Sequence, residues 1–454
     1  MAMEKRSPQN VNLDTHSTTV RWDRDSRSYQ GWSRIDSTVL RPNADFNNLF
    51  YHINVDSLRE AFFALDGSKA VGLDGIRKSD YNENLEANLE NLCEQIHRGS
   101  YKPQNKREVL IPKANGKTRP IAISCFEDKL VEYVTGKILS SIYEPLFSPN
   151  SFGFRPKKSA YDAIQAIYHS LKDTRRSWVV EMDFANFFNS IPHEKLLEVV
   201  RHRISDKRFL ALLNRFLKGG IFEQSGTLAF SEIGTPQGSI MSPILANVYL
   251  NEVLDQWFQE NYRSDANRMA RYADDAVFMF EKQETAERFL MELNRRVSTF
   301  GLLLNQEKTA LIDFCKDKHH QFSFLGFTFY WGRKFKLLNR VLKVKTDKKT
   351  LIKKMQEYDH WIKKVRSFLP IDRIWTLTKL KLKGHYNYYG FVTNLAKLNH
   401  FYASVVSALF RWLNRRSQRI SFSWPRFNHR LKAKPLPKPP EMSKLKPLGW
   451  CPYV

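Results

Sequence analysis

The sequence predicts an α+β fold whose last part is wholly helical. Three observations predict it. Short apolar runs, Val109-Leu110-Ile111-Pro112 and Ile121-Ala122-Ile123, flank Asn115-Gly116-Lys117, and an Asn-Gly pair between such runs signals a hairpin. Two more apolar segments, one ending at Asp183 and one divided at Asp274-Asp275, read as strands set among helical stretches. Leu395, Leu398, Tyr402, Val405, Val406, Leu409 and Leu413 keep the spacing of a helix with one buried face.

In chain order, residues 1–45 are polar and read as an extension, with Trp22 and Trp32 able to dock. Asp56-Ser57 caps a helix carrying Leu58, Phe62, Phe63 and Leu65. Gly72, Asp74 and Gly75 mark a turn, and Leu85, Leu89 and Leu92 continue as a second helix. After the hairpin, 126–146 and 156–172 read as helices. Trp178 to Asp183 is a strand ending in a carboxylate. Gly234 to Ser242 is a loop, Pro243 to Phe258 a helix, and Met269 to Phe280 two short strands. Leu302 to Leu304 and Phe322 to Tyr330 are further strands. The chain is expected to be helical from Val344, and 432–454, rich in Lys and Pro, extended.

Composition narrows the function class. The chain has 454 residues and no apolar run near the ~18–20 needed to span a bilayer. Its first residues lack the apolar segment of a secretory signal. Cys93, Cys125, Cys315 and Cys451 stand singly, without zinc or disulfide spacing. A reduced, cytoplasmic (bacterial) protein with no membrane partner is expected. The net charge is +25, and its distribution is uneven. Residues 331–454 hold 29 basic and 5 acidic side chains, a net of +24, against +1 for 1–330. Packed into one quarter of the chain, that excess is the footprint of a polyanion-binding surface.

The chemistry-bearing residues are carboxylates. A lone Asp-Asp is most often a polar hairpin tip. Asp183 also follows an apolar strand, ~90 residues upstream. Carboxylates from two adjacent strands can hold two hard divalent cations about 3.5–4 Å apart, the arrangement that stabilises both oxygens of an in-line phosphoryl transfer. A third segment, Gly234-Thr235-Pro236-Gln237-Gly238-Ser239, lets backbone approach a ligand closely.

Together, Glu181-Met182-Asp183-Phe184-Ala185-Asn186-Phe187-Phe188, the Pro236-Gln237-Gly238 loop and Tyr272-Ala273-Asp274-Asp275 resemble reverse transcriptases, and more closely those encoded by group II introns. Ile111 to Pro120, Ser151 to Pro156, Leu304 to Thr309, Phe324 to Phe327, Gly384 to Gly390 and Arg411 to Leu413 extend the resemblance over roughly residues 55–430. It implies a right-hand polymerase: fingers and an antiparallel-sheet palm at 46–330, a basic helical thumb or maturase-like domain at 331–431, and a tail at 432–454. It implies that Asp183, Asp274 and Asp275 are catalytic and hold two Mg²⁺, with Mn²⁺ able to substitute. Lys113, Arg119, Phe188, Gln237, Gly238 and Lys308 would bind the nucleotide, Phe188 by excluding a 2′-hydroxyl. Leu325 and Gly326 would place the primer. Lys348, Lys349, Lys363, Lys364, Lys381 and Lys383 would meet nucleic acid. The partners implied are an RNA template and primer, deoxynucleoside triphosphates, a structured intron or other non-coding RNA, and a DNA target.

The sequence departs from many relatives in having Ser239 for a second Gly, Ala185-Asn186 for Lys-Gly, and Asn189 for Asp. The Cys- and His-containing endonuclease domain that many relatives carry is not expected within these 454 residues. A stand-alone enzyme of defence, repair or CRISPR adaptation and a non-catalytic RNA-binding splicing factor are the alternatives. The three intact Asp residues count against the last.

Overall fold

The structure is a computed structural model that describes every residue except 1–30, 40–43, 113–117, 173, 224, 316–318, 334–339, 417–421 and 449–454. Trp22, Lys113, the Asn115-Gly116-Lys117 tip and Cys451 therefore lie outside the described residues.

At the centre is an antiparallel sheet in the order Arg268–Tyr272, Asp275–Phe280, Trp178–Met182, Ala310–Asp313. Successive side chains on a strand point to opposite faces, and here both faces are covered. Val180, Met182, Phe278 and Phe280 belong to one apolar core; Val179, Val277 and Met279 belong to the other. This is why these segments read as nearly continuous apolar runs rather than alternating ones.

The first core is built with the helices that precede the sheet and the helices inserted between its strands. Helix Phe126–Tyr143 runs through it and is buried on almost every side. Helix Trp32–Val39 packs Trp32, Ile35 and Val39 into the same core, so part of the expected polar extension is an ordered element. The helix expected to be capped by Asp56-Ser57 begins at Val55, with Asn54 as its cap. The Asn54 side chain accepts from the Ser57 amide at 3.0 Å, and the Ser57 hydroxyl accepts from the Asn54 amide at 3.0 Å.

A second sheet carries the hairpin Lys106–Pro112 and Thr118–Ile123, beside the short strands Ile221–Phe222 and Leu228–Ala229. A third sheet is formed by Gln321–Phe324, Phe327–Arg333 and Arg340–Thr346. Two expectations change here. The helical stretch expected from Val344 begins at Lys348, because Leu342, Val344 and Thr346 point inward with the two-residue period of a strand. Leu302 to Leu304 makes only an isolated bridge, Leu304 to Phe184; the fourth central strand is Ala310–Asp313, too short, at four residues, to show a period.

The second core joins the sheets to helices Lys348–Val365, Ile371–Tyr389, Leu395–Leu413 and Trp424–Ala433. Leu398, Val405, Leu409 and Leu413 are buried along the expected face. Tyr386, Tyr389 and Phe391 are core residues, whereas Tyr388 is 42% exposed. The extended segment after Lys434 is docked. Trp375 Nε1 donates to the Lys434 carbonyl, Tyr386 Oη to Pro437, and Tyr161 Oη and Gln165 Nε2 to Pro447. No helix among the described residues is long and apolar enough to cross a membrane.

Candidate active site

The central register brings the carboxylates together. Met182 pairs with Ala276, so Asp183 and Asp275 are the next positions on adjacent antiparallel strands. Ala273 and Asp274 form the two-residue turn between Tyr272 and Asp275. Ala273 has φ +56°, the positive value that a tight hairpin turn demands. Gly153 lies directly behind it: a Cβ there would stand 2.2 Å from the Ala273 amide nitrogen. The Ser151 to Pro156 segment thus acts as a backing for the turn. Its Arg155 is buried and donates to the carbonyls of Ser148 (2.6 Å) and Ser151 (2.8 Å).

The carboxylates repel one another. Burial first, then Asp274 and Asp183, push Asp275 up to about 7. Burial, with Asp183, also raises Asp274, while Arg119 and Lys308 oppose the rise. Lys308 forms an ion pair with Asp183 Oδ2. That bond, with the attraction of Asp275 and Asp274, raises the Lys308 pKa against the opposing effect of burial. Asn305 Nδ2 donates to the same oxygen at 3.3 Å, and the Asn305 amide donates to the Asp183 carbonyl at 2.8 Å. Carboxylate oxygens are the donors that hard divalent cations prefer, but among the described residues no three acidic, His or Cys side chains are gathered closely enough here to hold a metal ion.

A second wall comes from the hairpin sheet. Arg119 Nε donates to Gln237 Oε1 at 2.5 Å, and the Ala122 amide donates to the Gln237 carbonyl at 2.7 Å. Gly238 has φ +112°, and a Cβ there would lie 2.6 Å from the Ala122 carbonyl, so only glycine lets the loop lie against the strand. Glu132, fully buried on its helix, ties this wall together. It accepts from Ser124 Oγ (2.8 Å) and from the Ile240 amide (2.9 Å), and lies 3.3 Å from the buried Lys106 ammonium. Phe188 is half-buried in the short helix Phe187–Ser190, and its carbonyl accepts from the Thr235 amide at 2.7 Å. Asn186 has φ +59°; Asn tolerates that region better than most residues.

Leu325 and Gly326 form the turn between Gln321–Phe324 and Phe327–Arg333, both with positive φ (51° and 78°). Tyr388 Oη donates to the Leu325 carbonyl at 3.2 Å, which connects the C-terminal helices to this turn. Lys348 and Lys349 open helix Lys348–Val365, and Lys363 and Lys364 close it; all four are exposed. Lys381 and Lys383 are exposed on helix Ile371–Tyr389, Lys381 with its ammonium 4.8 Å from the Trp361 ring centre. The six lysines lie on the two helices that follow the third sheet.

Sequence reasoning missed the residues that hold the site. Arg271, Asp255 and Asn247 form a buried network behind the Asp274 turn, Glu132 holds the Ile240 amide, and Asn305 holds Asp183. One signal was present. Arg271 is a charge among the apolar residues Met269 and Ala270 in the strand Arg268–Tyr272, and a charge so placed requires a buried partner.

Residues 111–329 match the family described as reverse transcriptase (RNA-dependent DNA polymerase). Protein YkfC of Escherichia coli (strain K12) is 38% identical over 209 residues, covering 45% of this chain and 54% of that protein. The group II intron-encoded protein LtrA of Lactococcus lactis subsp. cremoris is 35% identical over 210 residues, 46% of this chain and 35% of that one. An uncharacterized 91 kDa protein in the cob intron of Schizosaccharomyces pombe is 30% identical over 361 residues, 63% of this chain and 44% of that one. The chain thus spans about half or less of the length of these relatives. The matched span contains all three carboxylates, and over it the chain is similar to reverse transcriptases and to proteins encoded by group II introns.

Proposed function

We propose that the chain is an RNA-directed DNA polymerase that extends a primer on an RNA template and also binds a structured RNA. The observation that carries the reading is the convergence of Asp183, Asp274 and Asp275 at one end of two paired strands. In this reading the central sheet is the palm, the Lys106–Ile123 hairpin belongs to the fingers, and the helices after Lys348 are the thumb.

Asp183, Asp274 and Asp275 would hold two Mg²⁺ ions, which when bound supply charge neutralisation at the triphosphate and a more reactive primer hydroxyl. The protein's own contribution is positioning and charge. Arg119 offers a planar fork to phosphate oxygens once it leaves Gln237. Lys308, held near Asp183, is a cation for the departing pyrophosphate. The Phe188 ring stands beside the sugar and leaves no room for a 2′-hydroxyl. The Leu325-Gly326 turn, braced by Tyr388, receives the primer strand. The basic helical surface supports a structured RNA partner, for which an intron RNA is the leading candidate, and a DNA target.

The test is direct. The purified full chain, given a DNA primer annealed to an RNA template, Mg²⁺ and deoxynucleotides, should extend the primer to the template end. A well-folded preparation that binds the duplex and extends nothing with Mg²⁺ or Mn²⁺ contradicts the reading.

A further inference from the structure

We infer that Arg271, gripped by Asp255 and Asn247, is a positioning residue that fixes the turn presenting Asp274 and Asp275. This rests on reading those carboxylates as metal ligands, and goes beyond it by naming what sets their geometry.

Arg271 and Asp255 side chains are both wholly buried. The guanidinium is used at every nitrogen. Nε donates to Asp255 Oδ1 at 2.7 Å and Nη2 to Asp255 Oδ2 at 2.5 Å, a two-pronged pair of the strongest protein type. Nη1 donates to Asn247 Oδ1 at 3.0 Å and to the carbonyl of Ala273 at 2.9 Å. The last bond lands inside the turn itself. Asn247 Nδ2 then donates to the Gly153 carbonyl at 2.9 Å, the same Gly153 whose missing side chain lets the turn pack. The Arg271 backbone is pinned on the same side. Its amide donates to Asn150 at 2.9 Å and its carbonyl accepts from Phe152 at 2.8 Å. Front and back of the turn are therefore held by one network.

The helix that supplies the grip is built for it. Asn247 and Asp255 are eight residues apart, which in a regular α-helix would turn them about 80° from each other. Residues Asn251–Gln256 instead form a π-helical segment between Ser242–Leu250 and Trp257–Asn261. The wider turn absorbs one extra residue, so the two side chains fall within about 20° of one face, toward Arg271. A buried charge pair is costly as a mere staple, since apolar side chains of similar volume often serve stability as well. Its value here lies in direction: it reaches the Ala273 carbonyl, which an apolar side chain cannot hold.

The test compares the full chain with Arg271→Met/Asp255→Leu, which removes both charges together, and with Asn247→Leu, which spares the pair but cuts its link to Gly153. Three quantities are read: melting temperature, Mn²⁺ binding by electron paramagnetic resonance without substrate, and kcat and KM in primer extension. The double variant should melt near the parent. Its Mn²⁺ affinity and kcat should each fall about tenfold or more, the effect usual when groups behind metal ligands are lost. Its KM for deoxynucleotide should stay near the parent's, and added Mn²⁺ should restore part of kcat. Asn247→Leu should shift the same quantities in the same direction by less, and decides the matter if the double variant does not fold. Parental Mn²⁺ affinity and kcat in either folded variant overturn the inference. Asp274→Asn separates the two levels: if it binds Mn²⁺ as the parent does, the metal reading itself fails.

Discussion

Asp183 and Asp275 face each other because Met182 pairs with Ala276, and a one-residue slip would send one of them to the opposite face. Their place at strand ends was legible from residue type and from the apolar segments that precede and follow them. Their support was not, since Arg271, Glu132 and Asn305 act through partners 16, 108 and 122 residues away. Phe188 makes a sharp test of the nucleotide reading. Phe188→Ala should raise ribonucleotide incorporation relative to deoxynucleotide, measured by competing the two at one template position; unchanged discrimination in an active variant assigns the ring to packing alone. His385 tests the helical core. Its ring stacks on Phe401 at 3.7 Å between centres and its buried Nε2 has no hydrogen-bond partner among the described residues. Burial, aided by Lys354, lowers its pKa to about 3. The unfolded chain gains a proton here as pH falls below about 6.5, and the folded chain does not, so stability is present above that value and is lost progressively toward pH 3. At pH 5 the loss is about 2 kcal/mol at ~1.4 kcal/mol per unit. Denaturant titrations at pH 7 and 5 should therefore show a smaller fall for His385→Phe than for the parent, and an equal fall would place the proton elsewhere.

Elements were legible where their periodicity was strong and their environment uniform. The central strands and the long helix Leu395–Leu413 are of this kind. The strand Ala310–Asp313 was not, because it is short, half-buried and ends in a polar residue. The π-helical segment Asn251–Gln256 has no sequence signature at all; only the need to turn Asp255 toward Arg271 explains it. The Leu325-Gly326 turn stores strain in a readable way. Leu325 holds φ +51°, a region costing a side-chain-bearing residue about 1–2 kcal/mol. Leu325→Asn relieves part of that strain and gives up half-buried apolar packing, so the melting temperature should change little. If the leucine is kept to seat the primer, the same variant should raise KM for the primer–template several-fold. A lower melting temperature with parental KM would make Leu325 a packing residue only.

At the scale of the whole molecule, charge divides the chain along its sequence, although the second core draws on residues from both sides of that division. Residues 1–330 are near neutrality, and the segment forming the outer helices carries +24. That asymmetry is visible in composition, but its shape is not. Only the folded helix sets Lys348 and Lys349 about 22 Å from Lys363 and Lys364, at ~1.5 Å per residue. Reversing either pair should weaken RNA binding across sequences and flatten the dependence of log affinity on log salt, by roughly 0.7–0.9 for each phosphate no longer neutralised. Equilibrium titrations at several salt concentrations measure both, and unchanged slopes would move the footprint off this helix. The central claim is narrower: one carboxylate constellation performs the chemistry, while the basic helices hold the nucleic acid. Asp274→Asn tests it most directly, in one preparation assayed for primer extension on RNA with Mg²⁺ and for RNA affinity. The expected result is extension reduced by at least about a hundredfold, as for loss of a metal ligand in a two-ion site, with RNA affinity within about twofold of the parent. Extension near the parental rate by the folded variant would contradict it.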